Sequence, residues 1–296
     1  MSIAESIAGV TRPEVPHLAG ERRLLFRLWR HPSGKAGILL TAALLCLALL
    51  GAVWTPWPPN APNYAHALQG PSAAHLFGTD STGRDLLSRV LDGAHRSIGA
   101  AVLVLGSVFA IGLVIGTLSG LAGGWLDMLL MRLVDVMMTL PGLVLAFAVL
   151  GILGPSFINL LIALIIGDWA WYARLARSLS LDARWRPDVV AAQMAGISRA
   201  RIIFGHILPG VALQLGIVAT LALGGMIGAI SGFSFLGLGV QPPHAEWGAL
   251  LSESRLFFTV APWLLLVPAG CIFLSVLSAN LLGNALRDVA SPKAAR

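Results

Sequence analysis

The sequence predicts an all-α membrane protein with six transmembrane helices, on three observations. Hydrophobic residues make up 56% of the chain and charged ones only 11%, where a soluble domain carries roughly a quarter charged residues. Six apolar stretches approach the roughly 20 residues that a helix needs to cross a bilayer core of about 30 Å. No stretch alternates with the period of two of a membrane strand, so helices are what satisfies the backbone in lipid. With a mean hydropathy of +0.81, lipid is the main solvent, which excludes a soluble enzyme and a disordered regulator. Cys46 and Cys271 lie in apolar runs on different segments, so a disulfide scaffold and redox chemistry are excluded as well.

The first stretch, Ala36 to Trp54, follows a polar arm of residues 1–35. It is too long for a signal-peptide core and reads as a retained anchor. The others run from Ile98 to Leu121, Val134 to Leu153, Phe157 to Leu175, Val211 to Ser231 and Phe257 to Leu282. With the N terminus in the cytoplasm, all but Arg84, Arg89, Arg96 and Arg255 of the 20 Lys and Arg fall on the cytoplasmic side. That bias places both termini, and the loop between spans four and five, in the cytoplasm. The net charge of +6 and pI near 10.3 belong to this topology. Nucleic acid is not an expected partner, because the basic residues form no stripe with interleaved aromatics.

Three segments outside the spans are long enough to act. From Thr55 to Ser97 a proline and tryptophan cluster at the headgroup level is followed by STGRDLLSRVL, Ser81 to Leu91. There Leu86, Leu87, Val90 and Leu91 share one helical face and Arg84, Asp85, Ser88 and Arg89 the other, which predicts an interfacial amphipathic helix capped by Asp80 or Ser81. On the cytoplasmic side, the loop of about residues 176–208 leads through PDVVAAQMAGISRARIIFGHILPG, Pro187 to Gly210. That segment reads as a short helix, a break at Gly196, a cap at Ser198 and a second helix leading to Pro209. Such a knob offers a grip to another protein, or is a plain surface hairpin with solvated arginines. In the third segment, Phe233 to Gly248, Gly237, Gly239, Pro242 and Pro243 stop the helix near the outer surface.

Inside the bilayer, Gly112, Gly116, Gly120 and Gly124 form a ridge at i, i+4 spacing, and Gly224, Gly228 and Gly232 a second. Small residues at that spacing let helices approach closely. Asp135 stands near the inner end of span three, and Asp168 lies within span four beside Trp169 and Trp171. A carboxylate in lipid faces a partner or a water-filled path. Asp168 is thus a candidate for lining a solute route, with a pair to Arg174 as the structural alternative. There is no GxxxxGK[ST], no HExxH and no CxxC, and none of the seven histidines lies deep in a span, so neither an ATP site nor a metal site is expected in this chain. Transport, gating or scaffolding remains.

Several segments closely resemble the C-type permease subunit of the dipeptide, oligopeptide and nickel family of ABC importers. HLFGTDSTGRDLLSRVLDGAHRSI, from His75 to Ile98, resembles the family's outer motif through Gly78, Asp80, Gly83, Arg84 and Asp85. MRLVDVMMTLPGLVLAF from Met131, ILGPSFIN from Ile152, SFLGLGVQPP from Ser234, EWG at Glu246 and ANLLGNALRD from Ala279 are likewise similar, in the family's order. The resemblance covers nearly everything from Gly34 onward. It implies a type I ABC importer permease fold in a bacterial inner membrane, with residues 36–97 as first span and outer loop, 98–285 as permease core and 286–296 as cytoplasmic tail.

The cytoplasmic knob is then the counterpart of the family's EAA loop, the coupling helix that docks on the ATPase. Ala191, Ala192, Gly196, Ile207, Leu208 and Pro209 match that pattern, while Val190 stands where the family has glutamate. The resemblance implies a homologous B-type permease, two ABC ATPases that use ATP and magnesium, an extracytoplasmic solute-binding protein and membrane lipid as partners. The expected solute is nickel, a metal chelate or a peptide, with nickel or a chelate ahead of the peptide. Val190 keeps one alternative in view, an uncoupled membrane scaffold or receptor.

Overall fold

The computed structural model describes residues 27–290. The arm up to residue 26, with Arg12, Arg22 and Arg23, and the tail from residue 291, with Lys293 and Arg296, lie outside the described residues. The helices are α1 (Pro32–Val53), α2 (Leu86–Ala122), α3 (Gly124–Thr139), α4 (Gly142–Leu153), α5 (Phe157–Ala183), α6 (Pro187–Met194), α7 (Arg199–Ile202), α8 (Leu208–Phe235), α9 (Trp247–Ser254) and α10 (Trp263–Ala290). Among the described residues strand pairing is limited to an isolated bridge between Thr79 and Asp85. Helices α1, α2, α5, α10 and the α7–α8 continuation are long and apolar enough to cross a membrane, and α3 with α4 makes a sixth span if the bent pair counts as one.

The third span departs from the straight helix expected over Val134 to Leu153. It divides into α3 and α4, which meet at 87°. Pro141 supplies the reason: it has no N–H to donate, and its ring disfavours helical geometry at Leu140. The second span also differs. Its 37 residues reach about 55 Å, so several turns of it stand clear of a bilayer core of about 30 Å. The segment Ser81 to Leu91 is therefore not a separate interfacial helix, and a domain boundary between residues 97 and 98 falls inside α2. The N-cap is Asp85 rather than Asp80 or Ser81, its carboxylate accepting from the Ser88 backbone N–H at 2.8 Å.

The core lies where α2, α5 and α8 meet, with Val104, Val108, Leu160, Leu215 and Ile230 fully buried. The small-residue ridge on α2 makes the closest of these packings. A methyl at Gly116 would stand 2.2 Å from the Ala173 carbonyl oxygen, and at Gly112 2.4 Å from Tyr172 Cβ. Gly120 lies similarly against Ser180 and Arg177. The ridge ends there, because Gly124 opens α3 and faces nothing within 4 Å. On α8, Gly224 packs on Val276 of α10, but Gly228 and Gly232 have nothing within 4 Å. The expected second ridge therefore meets a neighbouring helix of the described residues at its first member alone. Helix α1 packs against both α2 and α10, fixed by a hydrogen bond between the Thr41 and Ser278 hydroxyls at 3.0 Å.

Between α4 and α5 the turn is clamped by its own side chains. Asn159 donates through Nδ2 to the carbonyls of Leu153 and Gly154, each at 2.9 Å, and the Ser156 hydroxyl accepts from the Asn159 N–H at 3.2 Å. The last span starts at Trp263, later than the expected Phe257, because Arg255–Phe257 form a 3-10 turn first.

Candidate coupling site, outer cap and membrane carboxylate

The knob joins the ends of α5 and α8, which both belong to the main core. Helix α6 opens on Pro187, where a missing N–H costs nothing. It ends in a Schellman turn: the Gly196 N–H donates to the Gln193 carbonyl at 3.0 Å and the Ile197 N–H to the Ala192 carbonyl at 3.1 Å. This geometry requires the φ of +75° that Gly196 adopts. Ser198 then precedes α7 without a side-chain cap, and a π turn over Ile203–Ile207 carries the chain into α8. Arg186 binds Asp188 through both carboxylate oxygens, at 3.0 and 2.8 Å, and its guanidinium lies over Gly210 in the first turn of α8. His206 Nδ1 is 3.7 Å from Asp188. The short helix is thus tied sideways to α8 as well as through the chain.

Val189, Ala192, Ile202 and Ile207 are buried in the knob and continue the main core. Val190 and Leu208 are half-buried, while Ala191, Gly196 and Pro209 are exposed. The surface also displays Met194, Trp185 and Phe204, at 85%, 82% and 69% exposure. Exposed large apolar side chains on a segment outside the apolar spans are candidates for an interaction surface. Sequence reasoning missed these three; Trp185 stands out between two arginines, whereas Phe204 lies in the apolar run IIFGHIL and gives no such signal.

At the opposite end, residues 55–97 and 241–263 form a cap in which the outer-motif residues interlock. Asp80 accepts from the Thr82 N–H at 2.8 Å, the Arg84 N–H at 3.0 Å and Arg84 Nε at 2.6 Å. Asp85 accepts from the Ser88 hydroxyl at 2.7 Å and contacts His75 Nδ1 at 2.9 Å. Arg84 reaches Glu253 of α9 at 2.8 Å, and the fully buried Arg89 reaches the same carboxylate at 3.0 Å. Burial pushes the Glu253 carboxyl above the usual glutamate value, against Arg84, which pulls it down. Gly83 and Gly78 adopt φ of +79° and +75°, and a methyl on Gly83 would stand 1.7 Å from the Asn63 carbonyl oxygen. The polar face expected to meet water is therefore folded inward onto a partner far along the chain.

The EWG segment completes this cap. Glu246, fully buried, accepts from the Ser97 hydroxyl at 2.8 Å and from the Ala249 N–H at 3.1 Å. Trp247 Nε1 donates to the Val90 carbonyl at 3.1 Å. Both contacts fasten the outer loop to α2.

Within the membrane helices the acids divide. Asp127 is held by Arg177 at 2.6 and 2.7 Å, and Asp135 pairs with Arg174. The alternative partner for Asp168 is thereby engaged elsewhere, and Asp168 stays half-buried with no hydrogen bond or ion pair among the described residues. Trp169 packs into the core, and Trp171 is half-exposed against the Tyr172 ring. Among the described residues no three His, Cys, Asp or Glu side chains are grouped to hold a metal ion.

A bundle of apolar helices with a broken span, an interlocked cap at one end and an apolar-surfaced knob at the other defines a multi-pass membrane permease. Residues 112–296 match the family of binding-protein-dependent transport system inner membrane components. The chain is 38% identical over 260 residues to the nickel transport system permease protein NikC of Escherichia coli, covering 88% of this chain and 94% of that one. It is 38% identical over 257 residues to the dipeptide transport system permease protein DppC of Alkalihalophilus pseudofirmus, covering 87% and 84%. To the glutathione transport system permease protein GsiD of Shigella sonnei it is 40% identical over 270 residues, covering 90% and 89%. The chain belongs to this family, as an ABC importer permease of the peptide and nickel branch. It is a multi-pass bacterial inner-membrane protein and a transport subunit, not itself an enzyme.

Proposed function

We propose that the chain carries peptides or nickel and other metal chelates inward by alternating access, driven by two separate ABC ATPases that grip the knob. The single observation that carries this reading is the knob itself. Its short helix is closed by a Schellman turn, braced to α8 through Arg186 and Asp188, and surfaced with Met194, Phe204 and Trp185. A chain without an ATP site of its own receives the energy of hydrolysis mechanically. A push on α6 passes into α5 and α8, the two core helices that the knob joins, and rocks them against α2.

In this reading a homologous B-type permease completes the pathway, and a solute-binding protein delivers cargo to the cap. Both termini and the knob lie in the cytoplasm, in keeping with the basic residues around the knob. Val190 in place of a glutamate removes one anionic contact and leaves the apolar grip. Of the solutes named for the relatives, nickel, free or as a chelate, comes first in this reading and a peptide next.

The test is uptake in cells expressing the complete system. Val190→Arg or Gly196→Pro abolishes uptake while the chain stays in the membrane at wild-type level. Unchanged uptake in both variants refutes coupling through the knob and leaves the scaffold reading. A cysteine at Ala200 in a Cys46→Ala, Cys271→Ala background checks the orientation, since an impermeant thiol reagent labels it from the cytoplasmic side alone.

A further inference from the structure

We propose that Asp168 is the specificity-determining residue of the pathway, a carboxylate at mid-membrane that favours positively charged solutes over anionic ones. The inference rests on the permease reading and adds a substrate charge to it. Asp168 lies eleven residues into α5 from Phe157, about 16 Å along the helix axis, close to the middle of a bilayer core. An ionised side chain at that depth is tolerated when it has a partner or faces water. Arg174 and Arg177, the bases on the same helix toward its cytoplasmic end, are committed to Asp135 and Asp127. Asp168 has no such partner, and its remaining exposure opens onto space that no described residue fills.

A second observation lies beside it. A methyl at Gly167 would stand 4.0 Å from the Gly142 carbonyl oxygen, so Asp168 is level with the break where α3 and α4 meet at 87°. Helix α4 starts there from Pro141 with no side-chain cap. Broken backbone at membrane depth persists where protein or a water-filled cavity covers it, and transporters place binding groups at such breaks. A lone carboxylate level with helix ends makes a polar patch with negative charge and no basic side chain paired to it among the described residues. A metal cation, a chelate of net positive charge or a peptide ammonium supplies the missing charge, and an anionic solute meets repulsion strengthened by the low dielectric.

The test uses the assembled permease and ATPase complex in the Cys46→Ala, Cys271→Ala background and does not depend on knowing the solute. Asp168→Cys is expected to react with small water-borne methanethiosulfonate reagents. Trp171→Cys, one turn away with Asp168 intact, is expected to react about tenfold faster with a cationic reagent than with an anionic one of equal size. Adding Asp168→Asn removes that bias, and Asp168→Glu keeps it. No labelling at either position, or a bias unaffected by Asp168→Asn, overturns the proposal. Because labelling needs no transport, these outcomes are separate from failure of the coupling variants, which tests the permease reading alone.

Discussion

The cap and the knob are built from similar residues by opposite rules. In the cap the charges turn inward: Arg89 is fully buried between Asp80 and Glu253, and Gly83 leaves no room for a methyl. In the knob three large apolar side chains, Trp185, Met194 and Phe204, turn outward, and Gly196 has no atom within 4 Å of where a methyl would stand. Glycine in the cap serves close packing as well as its φ, whereas in the knob it serves the φ alone. The difference teaches that the cap is built to hold one shape and the knob to be held by something else.

The strongest way to break this comparison is to remove a buried charge. Arg89→Met leaves Asp80 and Glu253 without one of their two arginines, and loss of one partner of a buried pair costs about 3–5 kcal/mol. Thermal unfolding in detergent is expected to show the variant melting far below the wild type. A melting point equal to wild type contradicts the cap as described. Gly83→Ala comes next, at about 3 kcal/mol, because it adds overpacking against the Asn63 backbone to an unfavourable φ. The matched change Gly196→Ala meets only the φ penalty and costs about 1 kcal/mol. Equal losses at the two glycines erase the distinction between the regions.

Phe204→Asp sharpens the other side. Placed on an exposed surface, it is expected to shift stability by no more than about 0.5 kcal/mol, yet to weaken copurification of the ATPase and lower uptake. Full uptake with full copurification removes Phe204 from the grip.

The smallest effect is a pH dependence in the cap. Burial raises the Glu253 carboxyl even though two arginines contact it. The folded chain therefore takes up this proton at a higher pH than the unfolded chain does. Between the two values, stability from this group rises as pH falls and is lost as pH rises through the folded value. Comparison of melting points across mildly acid pH is expected to show this slope in the wild type and not in Glu253→Gln.

The spans and the knob were legible in the sequence for different reasons. Apolar content locates a span without knowledge of its neighbours, and Gly196 and Pro209 punctuate the knob by backbone chemistry alone. The cap was misread because its polar face is satisfied by a residue far away: Arg89 and Glu253 are separated by 164 positions. Viewed locally, Arg84, Asp85, Ser88 and Arg89 have the pattern of a solvated face. At Pro141 the signal was present but masked by an apolar run on both sides, so length outweighed the proline. Gly228 and Gly232 illustrate a further limit. A ridge of small residues has the same spacing whether its partner lies in the same chain or not, and theirs does not lie among the described residues.

Whether the knob receives the work of separate ATPases is decided by isolating the chain with its partners in nanodiscs. ATP hydrolysis is then measured with nickel, nickel chelates and dipeptides offered through the binding protein. ATPase subunits are expected to copurify, one solute class to stimulate hydrolysis, and Gly196→Pro to remove the stimulation. An assembly in which no ATPase accompanies the chain, or in which Gly196→Pro leaves stimulated hydrolysis intact, contradicts coupling through the knob.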